Sequence, residues 1–378
     1  MRLWSIRRKA FGQPEQLDSL RRSGLGPGGF KVVAQLPAAA PPGHVAERYA
    51  WELESLGPIG ARIEECAATT AEGFLAVAHD ADAVITSWGF PLTAAIIAGM
   101  RRCVVIGVGS VGVDTVDVDA ATAAGIVVTN TPDIFIEEVA DHALALILAC
   151  ARRVVEQHHL VTDGRWLEGR PQLSELPRLW GRTLGLVSFG NVARATARRA
   201  TAFGVHPLAY DPFVSELTMT AEGVEPVTSL GELLERADIV SVHAPLNRDT
   251  YHLIGAAELA RMRPDAIVVN TGRGGVVDEV ALAEALGAGR LWAAGLDVLE
   301  QEPPPPDHPL LAVPNVILSP HVASATARMR PETRRRVGRE VALVLTGRWP
   351  RSCVNPTVLP RVALERWQPY PMDRGPNR

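Results

Sequence analysis

The chain has 378 residues, of which 47% are hydrophobic and 21% are charged, with a formal net charge of −4. This length is sufficient for two domains with their own cores, and the composition is typical of a globular protein. A slightly acidic chain gives no electrostatic basis for binding nucleic acid or an anionic membrane surface, so we expect neither partner.

The chain carries no sequence signal for a membrane or for export. No apolar run approaches the ~20 residues that a membrane span needs. Two adjacent arginines occur at residues 7–8, but polar residues follow where a signal peptide has its apolar core. The cysteines are scattered without metal-ligand or disulfide spacing, which is typical of reduced thiols. We therefore expect a cytoplasmic protein.

Strand and helix patterns alternate in the first third of the chain, after an extension at residues 1–30 that is rich in Arg, Gly and Pro. Ala-rich stretches at residues 70–78 and 92–100 predict helices. Short apolar runs predict strands at residues 31–36, 61–66, 83–86, 103–106 and 126–129. This alternation predicts a parallel sheet that is covered by helices on both faces.

A long amphipathic pattern follows at residues 136–156. Val139, Ala143, Leu146 and Ile147 lie at helical spacing, and two arginines at residues 152–153 suit the last turn of a helix. The pattern predicts one continuous helix, after which strand and helix patterns alternate again from residue 182.

The second alternating region opens with a sequence close to the dinucleotide-binding fingerprint G-x-G-x-x-G/A. Ser188, Gly190 and Ala193 occupy its three positions, and Asp211 ends the next strand. Ser188 departs from the fingerprint, because the first glycine serves a tight turn where a Cβ costs about 1 kcal/mol. We expect pyrophosphate binding that is weaker or differently shaped, but not lost.

The helix after this turn supplies backbone amides for the pyrophosphate at Asn191 and Val192. Asp211 is expected to accept hydrogen bonds from the adenosine ribose and to repel a 2′-phosphate. No arginine adjoins it, so the pattern favours NAD over NADP. Taken alone, an Asp at this position is equally typical of a turn at a strand end.

Polar residues follow three further apolar strands, at residues 266–269, 293–296 and 316–318. They are Arg273, Asp297 with Glu302 shortly after it, and His321. The carboxyl ends of parallel strands share one edge of a sheet, where ligands bind. An Arg there can clamp a carboxylate, and a His beside a Glu can transfer a proton near neutral pH. Individually these residues could instead be an ion pair, a turn acid and a strand-end cap.

These motifs, in this order, resemble the D-isomer-specific 2-hydroxyacid dehydrogenase family over residues 80–356. The segments EEVADH at 137–142 and GLVSFGNVA at 185–193 are most similar to the bacterial branch that resembles C-terminal binding protein. The resemblance implies an α/β protein with two doubly wound parallel-sheet domains. A Rossmann NAD-binding domain at residues 130–323 would be inserted into a flavodoxin-like substrate domain at residues 1–129 and 324–378.

The resemblance also assigns roles to residues. Arg273, Glu302 and His321 would be catalytic, and Gly109, Ser110 and Arg273 would bind the substrate carboxylate. The family usually has an Arg where this chain has Val108, which weakens the case for a phosphorylated or dicarboxylic substrate. The loop at residues 107–114 could also be a plain glycine-rich turn. Residues 324–326 are small and polar, and they leave the substrate side chain undetermined.

For the cofactor, the resemblance implies NAD. Asp297 and the backbone of residues 271–272 would orient the nicotinamide, and His243 has a structural alternative. No metal is required, because Arg and a charged His supply the electrophile. The segment at residues 163–180 would embrace a second subunit in a homodimer. The cofactor-binding residues would be Ser188, Gly190, Asn191, Val192, Asp211, His243, Ala244, Pro245, Thr271, Gly272, Asp297 and His321.

The function that follows is an NAD-dependent oxidoreductase acting on a small D-2-hydroxy acid or its 2-keto acid. Two alternatives remain open at this point. One is an NAD(H)-sensing, corepressor-like interaction protein with little turnover. The other is a dehydrogenase of the same family that oxidises another small anion, such as formate or phosphite.

Overall fold

A computed structural model describes residues 29–36, 45–87, 90–171, 176–362 and 364. The extension predicted at residues 1–30 and the tail beyond residue 364 lie almost entirely outside these ranges. The chain divides into two compact units. The first contains residues up to Ile134 together with those from Arg328 onward, and the second is Phe135–Ala327. The divisions therefore fall a few residues after the predicted domain boundaries at 129/130 and 323/324.

The strands are short and their pairings are parallel throughout the described residues. The strands with predicted bounds lie within one or two residues of the predicted positions, because most of them are buried runs of β-branched and small apolar residues. The two-residue strand at Glu225–Pro226 was not predicted from the sequence. The strands are β1 (Lys31–Gln35), β2 (Arg62–Cys66), β3 (Ala83–Thr86), β4 (Val105–Val108), β5 (Val127–Thr129), β6 (Thr183–Val187), β7 (His206–Tyr210), β8 (Glu225–Pro226), β9 (Ile239–Val242), β10 (Ile267–Asn270), β11 (Ala293–Leu296) and β12 (Val316–Leu318).

Helices connect the strands, and short 3-10 turns occur at Gly57–Ile59, Trp166–Gly169, Gly274–Val276, Pro309–Ala312 and Pro356–Arg361. Among the described residues, no helix combines the length and apolarity needed to cross a bilayer. The helices are α1 (Val45–Arg48), α2 (Ala50–Leu56), α3 (Ala71–Ala78), α4 (Ala94–Gly99), α5 (Val118–Ala123), α6 (Ile136–Arg152), α7 (Val154–Thr162), α8 (Asn191–Thr201), α9 (Glu216–Ala221), α10 (Leu230–Arg236), α11 (Ala256–Arg261), α12 (Glu279–Gly287) and α13 (Met329–Leu345).

Each unit contains one sheet. The first unit has a five-stranded sheet in the order β2-β1-β3-β4-β5, which is the flavodoxin-like order. The second unit has a seven-stranded sheet in the order β12-β11-β10-β9-β6-β7-β8. Its strand order reverses between β6 and β9, as in a dinucleotide-binding Rossmann sheet. The predicted fold class is confirmed.

The seven-stranded sheet is buried on both faces. Leu146 of α6 and Ala197 of α8 pack into the core on one face. Leu233, Leu259 and Leu282, from α10, α11 and α12, pack into the core on the other face. Covering both faces with helices leaves the carboxyl ends of the strands as the edge at which side chains can meet a ligand.

The prediction of one continuous helix over residues 136–156 is wrong in its extent: α6 ends at Arg152. Arg153 adopts a left-handed conformation with φ of 50°, and α7 starts at Val154. The guanidinium of Arg153 lies over the ring of Trp292, 4.4 Å from its centroid. A tertiary cation–π contact thus accompanies a helix end that no Gly or Pro marks in the sequence.

The close packing of α6 on the sheet requires a glycine in β11. A Cβ added to Gly295 would lie 2.9 Å from Cβ of Leu146 and 3.2 Å from Sγ of Cys150. Real Cβ atoms essentially never approach other carbon atoms so closely, and the interior has no spare volume to relieve the clash. Gly295 therefore allows α6 to lie directly on β11.

We predict that Gly295→Ala lowers the free energy of unfolding by about 1–3 kcal/mol, the usual cost of overpacking. Differential scanning calorimetry measures the effect. Gly287→Ala is the matched control, because a Cβ at Gly287 near the end of α12 meets no atom within 4 Å. It should leave the stability unchanged or raise it by up to ~1 kcal/mol. Equal melting temperatures for the two variants would contradict the packing argument.

Candidate active site

His321 and Glu302 form a hydrogen bond at the carboxyl edge of the seven-stranded sheet. Nδ1 of His321 lies 2.7 Å from Oε2 of Glu302, and Oε1 of Glu302 accepts a hydrogen bond of 3.0 Å from the amide of Leu299. Partial burial by itself would raise the pKa of Glu302. The hydrogen bonds from His321 and Leu299, with the charges of His321 and Arg273, outweigh burial and lower that pKa. The carboxylate is therefore ionised near neutral pH and fixes the imidazole through its Nδ1 atom.

Arg273 follows β10 through a turn that Asn270 holds. Asn270 is buried, its Nδ2 donates to the carbonyl of Arg273 at 2.9 Å, and its Oδ1 accepts from the amide of Gly272 at 3.0 Å. Asn270 is not among the residues predicted from the sequence. Its signal was an Asn at a strand end before Thr-Gly, where its amide can close a turn on the backbone.

Gly274 brings the segment of Arg273 against the segment of Glu302. A Cβ on Gly274 would lie 1.9 Å from the carbonyl carbon of Leu299 and 2.2 Å from the amide nitrogen of Glu300. No side chain fits in this space, so the two backbones touch here. The electrostatic effect of Arg273 on Glu302 follows from this approach. The structure thus places Arg273, Glu302 and His321 at one edge of one sheet.

Asp297 anchors the segment that carries His321. Its Oδ1 accepts from the hydroxyl of Ser319 at 2.5 Å and from the amide of Val322 at 3.0 Å, and its Oδ2 accepts from the amide of Ala323 at 2.8 Å. The amide of His321 donates to the carbonyl of Asp297 at 2.8 Å. These bonds hold His321 in a left-handed conformation with φ of 53°, which is strained for a residue with a Cβ.

His142 joins this network from α6. Its Nε2 lies 2.8 Å from the hydroxyl of Ser319 and 3.4 Å from Oδ1 of Asp297. His142 is not among the site residues predicted from the sequence, because its link to the His321 segment is a tertiary contact. The contact joins residues 177 positions apart along the chain.

The cofactor residues predicted from the sequence follow the carboxyl ends of β6, β7, β9, β10, β11 and β12. Gly190 caps α8, and a Cβ on Gly190 would meet nothing within 4 Å. The amides of Asn191 and Val192 begin α8, where helix N–H groups lack intrahelical acceptors. Oγ1 of Thr271 is buried without a hydrogen-bond partner. An open approach at Gly190 and a buried hydroxyl without a partner both fit a dinucleotide with its pyrophosphate at α8.

His243 follows β9 and is a neutral group. Burial lowers the pKa of His243 to about 4, and its Nε2 lies 2.9 Å from the hydroxyl of Ser241. Ala244 is buried, and the carbonyl of Pro245 accepts a 2.6 Å hydrogen bond from the hydroxyl of Thr250. These contacts match the structural alternative for His243, and contact with a cofactor stays a prediction.

Ser188 adopts the left-handed conformation, with φ of 74°, that the fingerprint normally assigns to glycine. Its hydroxyl donates to Oδ2 of Asp211 at 3.0 Å, and the amide of Phe213 donates to Oδ1 at 2.8 Å. Asp211 therefore does hold a turn at the strand end. Its contact with a ribose stays a prediction.

The predicted substrate loop lies in the first unit, directly after β4. The amide of Gly109 donates to the carbonyl of Thr86 at 2.8 Å, and the hydroxyl of Ser110 donates to the carbonyl of Gly112 at 2.7 Å. The side chain of Asn130 reaches the same loop and donates to the carbonyl of Val111 at 2.7 Å. The loop is thus a braced turn, and Asn130 is a supporting residue that the sequence did not reveal.

Comparison with known proteins identifies relatives. A family model described as D-isomer specific 2-hydroxyacid dehydrogenase, NAD binding domain, matches residues 144–323. The glyoxylate reductase of Korarchaeum cryptofilum is 43% identical over 281 residues, which cover 74% of this chain and 84% of that protein. The D-3-phosphoglycerate dehydrogenase of Methanocaldococcus jannaschii is 37% identical over 318 residues, which cover 84% of this chain and 59% of that protein.

A solved structure that is similar to this chain has a related name. The NADPH-dependent glyoxylate/hydroxypyruvate reductase of Sinorhizobium meliloti, solved in complex with citrate, matches with a TM-score of 0.72 at 33% identity. The match covers 87% of this chain and 98% of that one. The predicted NAD cofactor and oxidoreductase class are confirmed, whereas the branch resembling C-terminal binding protein stays a prediction. The chain belongs to the D-isomer-specific 2-hydroxyacid dehydrogenase family.

Proposed function

We propose that this protein reduces a small 2-keto acid to its D-2-hydroxy acid, and catalyses the reverse oxidation, with NAD(H) as the cofactor. The observation that carries the proposal is the 2.7 Å hydrogen bond between His321 and Glu302, with Arg273 close enough to lower the pKa of that carboxyl. An imidazole fixed by a carboxylate beside a guanidinium is the arrangement that proton transfer to a carbonyl oxygen needs.

In the reducing direction, bound NADH supplies the hydride. Arg273 binds the substrate carboxylate and stabilises the negative charge that develops on the keto oxygen. His321 donates the proton to that oxygen, and Glu302 stabilises the charged imidazole before the transfer. In the oxidising direction, His321 accepts the hydroxyl proton.

Residues of this chain would hold the cofactor in the following way. The amides of Asn191 and Val192 at the start of α8 bind the pyrophosphate, and Asp211 accepts a hydrogen bond from the adenosine ribose. Thr271, Gly272 and the loop anchored on Asp297 would orient the nicotinamide. Ser188, Gly190, His243, Ala244 and Pro245 complete the predicted contacts.

The substrate we propose is a small, unphosphorylated keto acid of about the size of glyoxylate. Ser110 would bind its carboxylate through its backbone amide, whereas the amide of Gly109, the other predicted residue, already donates to the carbonyl of Thr86. Val108, where the family usually has an Arg, is the last residue of β4 and is buried, so it presents no charge to a phosphate. The similarity to a glyoxylate reductase over 84% of that protein supports the same size class.

We predict that the purified protein oxidises NADH with glyoxylate or hydroxypyruvate, and much more slowly with phosphohydroxypyruvate. His321→Ala should lower kcat by at least ~100-fold, because the proton donor is lost. Arg273→Ala should raise KM for the acid and also lower kcat, because Arg273 both binds the carboxylate and stabilises the charge that develops on the keto oxygen. Absorbance at the NADH band measures the rates, and NADH fluorescence measures binding to each variant.

His79→Ala serves as the control, because His79 is an exposed residue at the end of α3. It should leave kcat and KM unchanged. NADH binding without turnover of any keto acid would contradict the proposal and favour the NAD(H)-sensing alternative. Turnover with formate or phosphite alone would favour the other-anion alternative.

The lowered pKa of Glu302 predicts a pH-dependent stability. A carboxyl whose pKa is lower in the folded chain stabilises the fold above its unfolded pKa of about 4.3, and this stabilisation is lost as the pH falls through the folded value. Glu302→Gln should therefore lower the melting temperature by about 2–4 °C at pH 7 and have less effect near pH 3.

Calorimetry at several pH values tests this dependence. Glu222→Gln is the matched control, because Glu222 lies exposed at the end of α9. It should leave the melting temperature close to that of the wild type at each pH. A difference between the wild type and Glu302→Gln that stays constant down to pH 3 would contradict the prediction.

We also propose a homodimer in the cytoplasm. The segment predicted to embrace a second subunit exposes large apolar side chains, including Trp166 at 62%, Leu167 at 79% and Trp180 at 66%. Apolar groups of this size on one segment favour burial against another chain. The cysteines are free thiols, which agrees with a reducing compartment.

We predict that the protein has the mass of a dimer in light scattering after size-exclusion chromatography. Leu167→Glu should shift it toward the monomer, because it places a charge in the apolar contact. Leu217→Glu is the control, since Leu217 on α9 is 83% exposed outside this segment. A monomeric wild type, or a dimer that tolerates Leu167→Glu without weakening, would contradict the prediction.

A further inference from the structure

Ser188 places a hydroxyl where the dinucleotide fingerprint has a glycine. That hydroxyl donates to Oδ2 of Asp211 at 3.0 Å. The amide of Phe189 donates to the same oxygen at 2.8 Å, and the amide of Phe213 donates to Oδ1 at 2.8 Å. Two of these three bonds come from backbone amides. The third exists only because residue 188 has a side chain.

The backbone of Ser188 is strained, and this contact offsets the strain. A φ of 74° lies in the left-handed region, where a Cβ crowds the neighbouring peptide. A hydrogen bond from a hydroxyl to a carboxylate is among the stronger side-chain hydrogen bonds. Ser188 therefore keeps the turn that a glycine would make and adds a tether to Asp211.

The hydrogen bond from Ser188 limits the number and direction of further hydrogen bonds that the carboxylate of Asp211 can accept. A carboxylate offers about four acceptor positions, and the chain fills three of them. The group cannot rotate without breaking these bonds, so one position on Oδ1 remains in a fixed direction. A ribose hydroxyl can donate to it. A 2′-phosphate brings negative charge toward a carboxylate that cannot turn away.

We infer that Ser188 is a positioning residue that sets the preference for NADH over NADPH by fixing the carboxylate of Asp211. The inference rests on the proposed role of Asp211 as the ribose ligand. The solved Sinorhizobium meliloti relative is NADPH-dependent. The shared fold therefore does not determine whether NADH or NADPH binds, and this preference must come from individual residues at the site.

The test measures dissociation constants for NADH and NADPH by fluorescence. Ser188→Ala and Ser188→Gly both lack the hydroxyl, and in each variant the ratio of NADH affinity to NADPH affinity should fall by about three- to tenfold. NADPH binding should stay unchanged or become tighter, so the preference for NADH falls. Because only glycine adopts this φ without strain, Ser188→Gly should melt at a higher temperature than Ser188→Ala.

Two further variants distinguish loss of the Ser188–Asp211 hydrogen bond from a nonspecific effect on folding. Ser229→Ala removes a hydroxyl that caps α10 in the same unit, and it should leave both dissociation constants unchanged. Asp211→Ala should itself reduce the preference for NADH. In the Asp211→Ala background, Ser188→Ala should have no further effect, because the two residues act through one contact.

An unchanged preference in Ser188→Ala, with NADH still bound by the wild type, would overturn this inference alone. Additive effects of the Ser188 and Asp211 substitutions would overturn it as well. A wild-type protein that binds neither dinucleotide would overturn the proposed function and, with it, this inference.

Discussion

The buried carboxylate of Asp297 is the interaction on which the geometry of the site depends. Asp297 is 2% exposed, and burying a carboxylate is costly unless hydrogen bonds replace its water. The replacement donors are the hydroxyl of Ser319 and the amides of Val322 and Ala323, all from the segment that carries His321. The requirement to satisfy one buried charge therefore fixes the direction in which the imidazole leaves the sheet.

The parallel sheet and one glycine bring the other two side chains to this imidazole. β10, β11 and β12 are neighbours in the sheet, so the segments that follow them leave from one edge. Gly274 then allows the backbone after Arg273 to touch the backbone of Leu299, three residues before Glu302. Strand pairing also brings Ser188 and Asp211 together, because each directly follows one of two adjacent, paired strands, β6 and β7. In both places, strand order provides proximity and a few specific hydrogen bonds provide orientation.

Much of the fold followed from pattern, because buried strands and amphipathic helices have periods that a sequence displays directly. β3, β11 and β12 start and end at the predicted residues. The end of α6 did not follow, because a contact between Arg153 and Trp292 accompanies it and no Gly or Pro marks it. The sequence also did not predict the roles of three residues in the site, Asn270, Asn130 and His142. Their partners are set by the tertiary fold, and their residue types are common in ordinary turns and helices.

The sequence by itself determined the two alternating α/β regions, the fingerprint turn before α8, and the identity and order of Arg273, Glu302 and His321. Residue type, spacing and strand ends are local properties, so they could be read without coordinates. Only the tertiary structure decided that Glu302 and His321 share a hydrogen bond, that Asp297 holds the histidine segment, and that Ser188 is tied to Asp211. The physical reason is that a hydrogen bond depends on distance and direction to within a few tenths of an ångström. Such precision arises only when the strands are paired and the helices are packed.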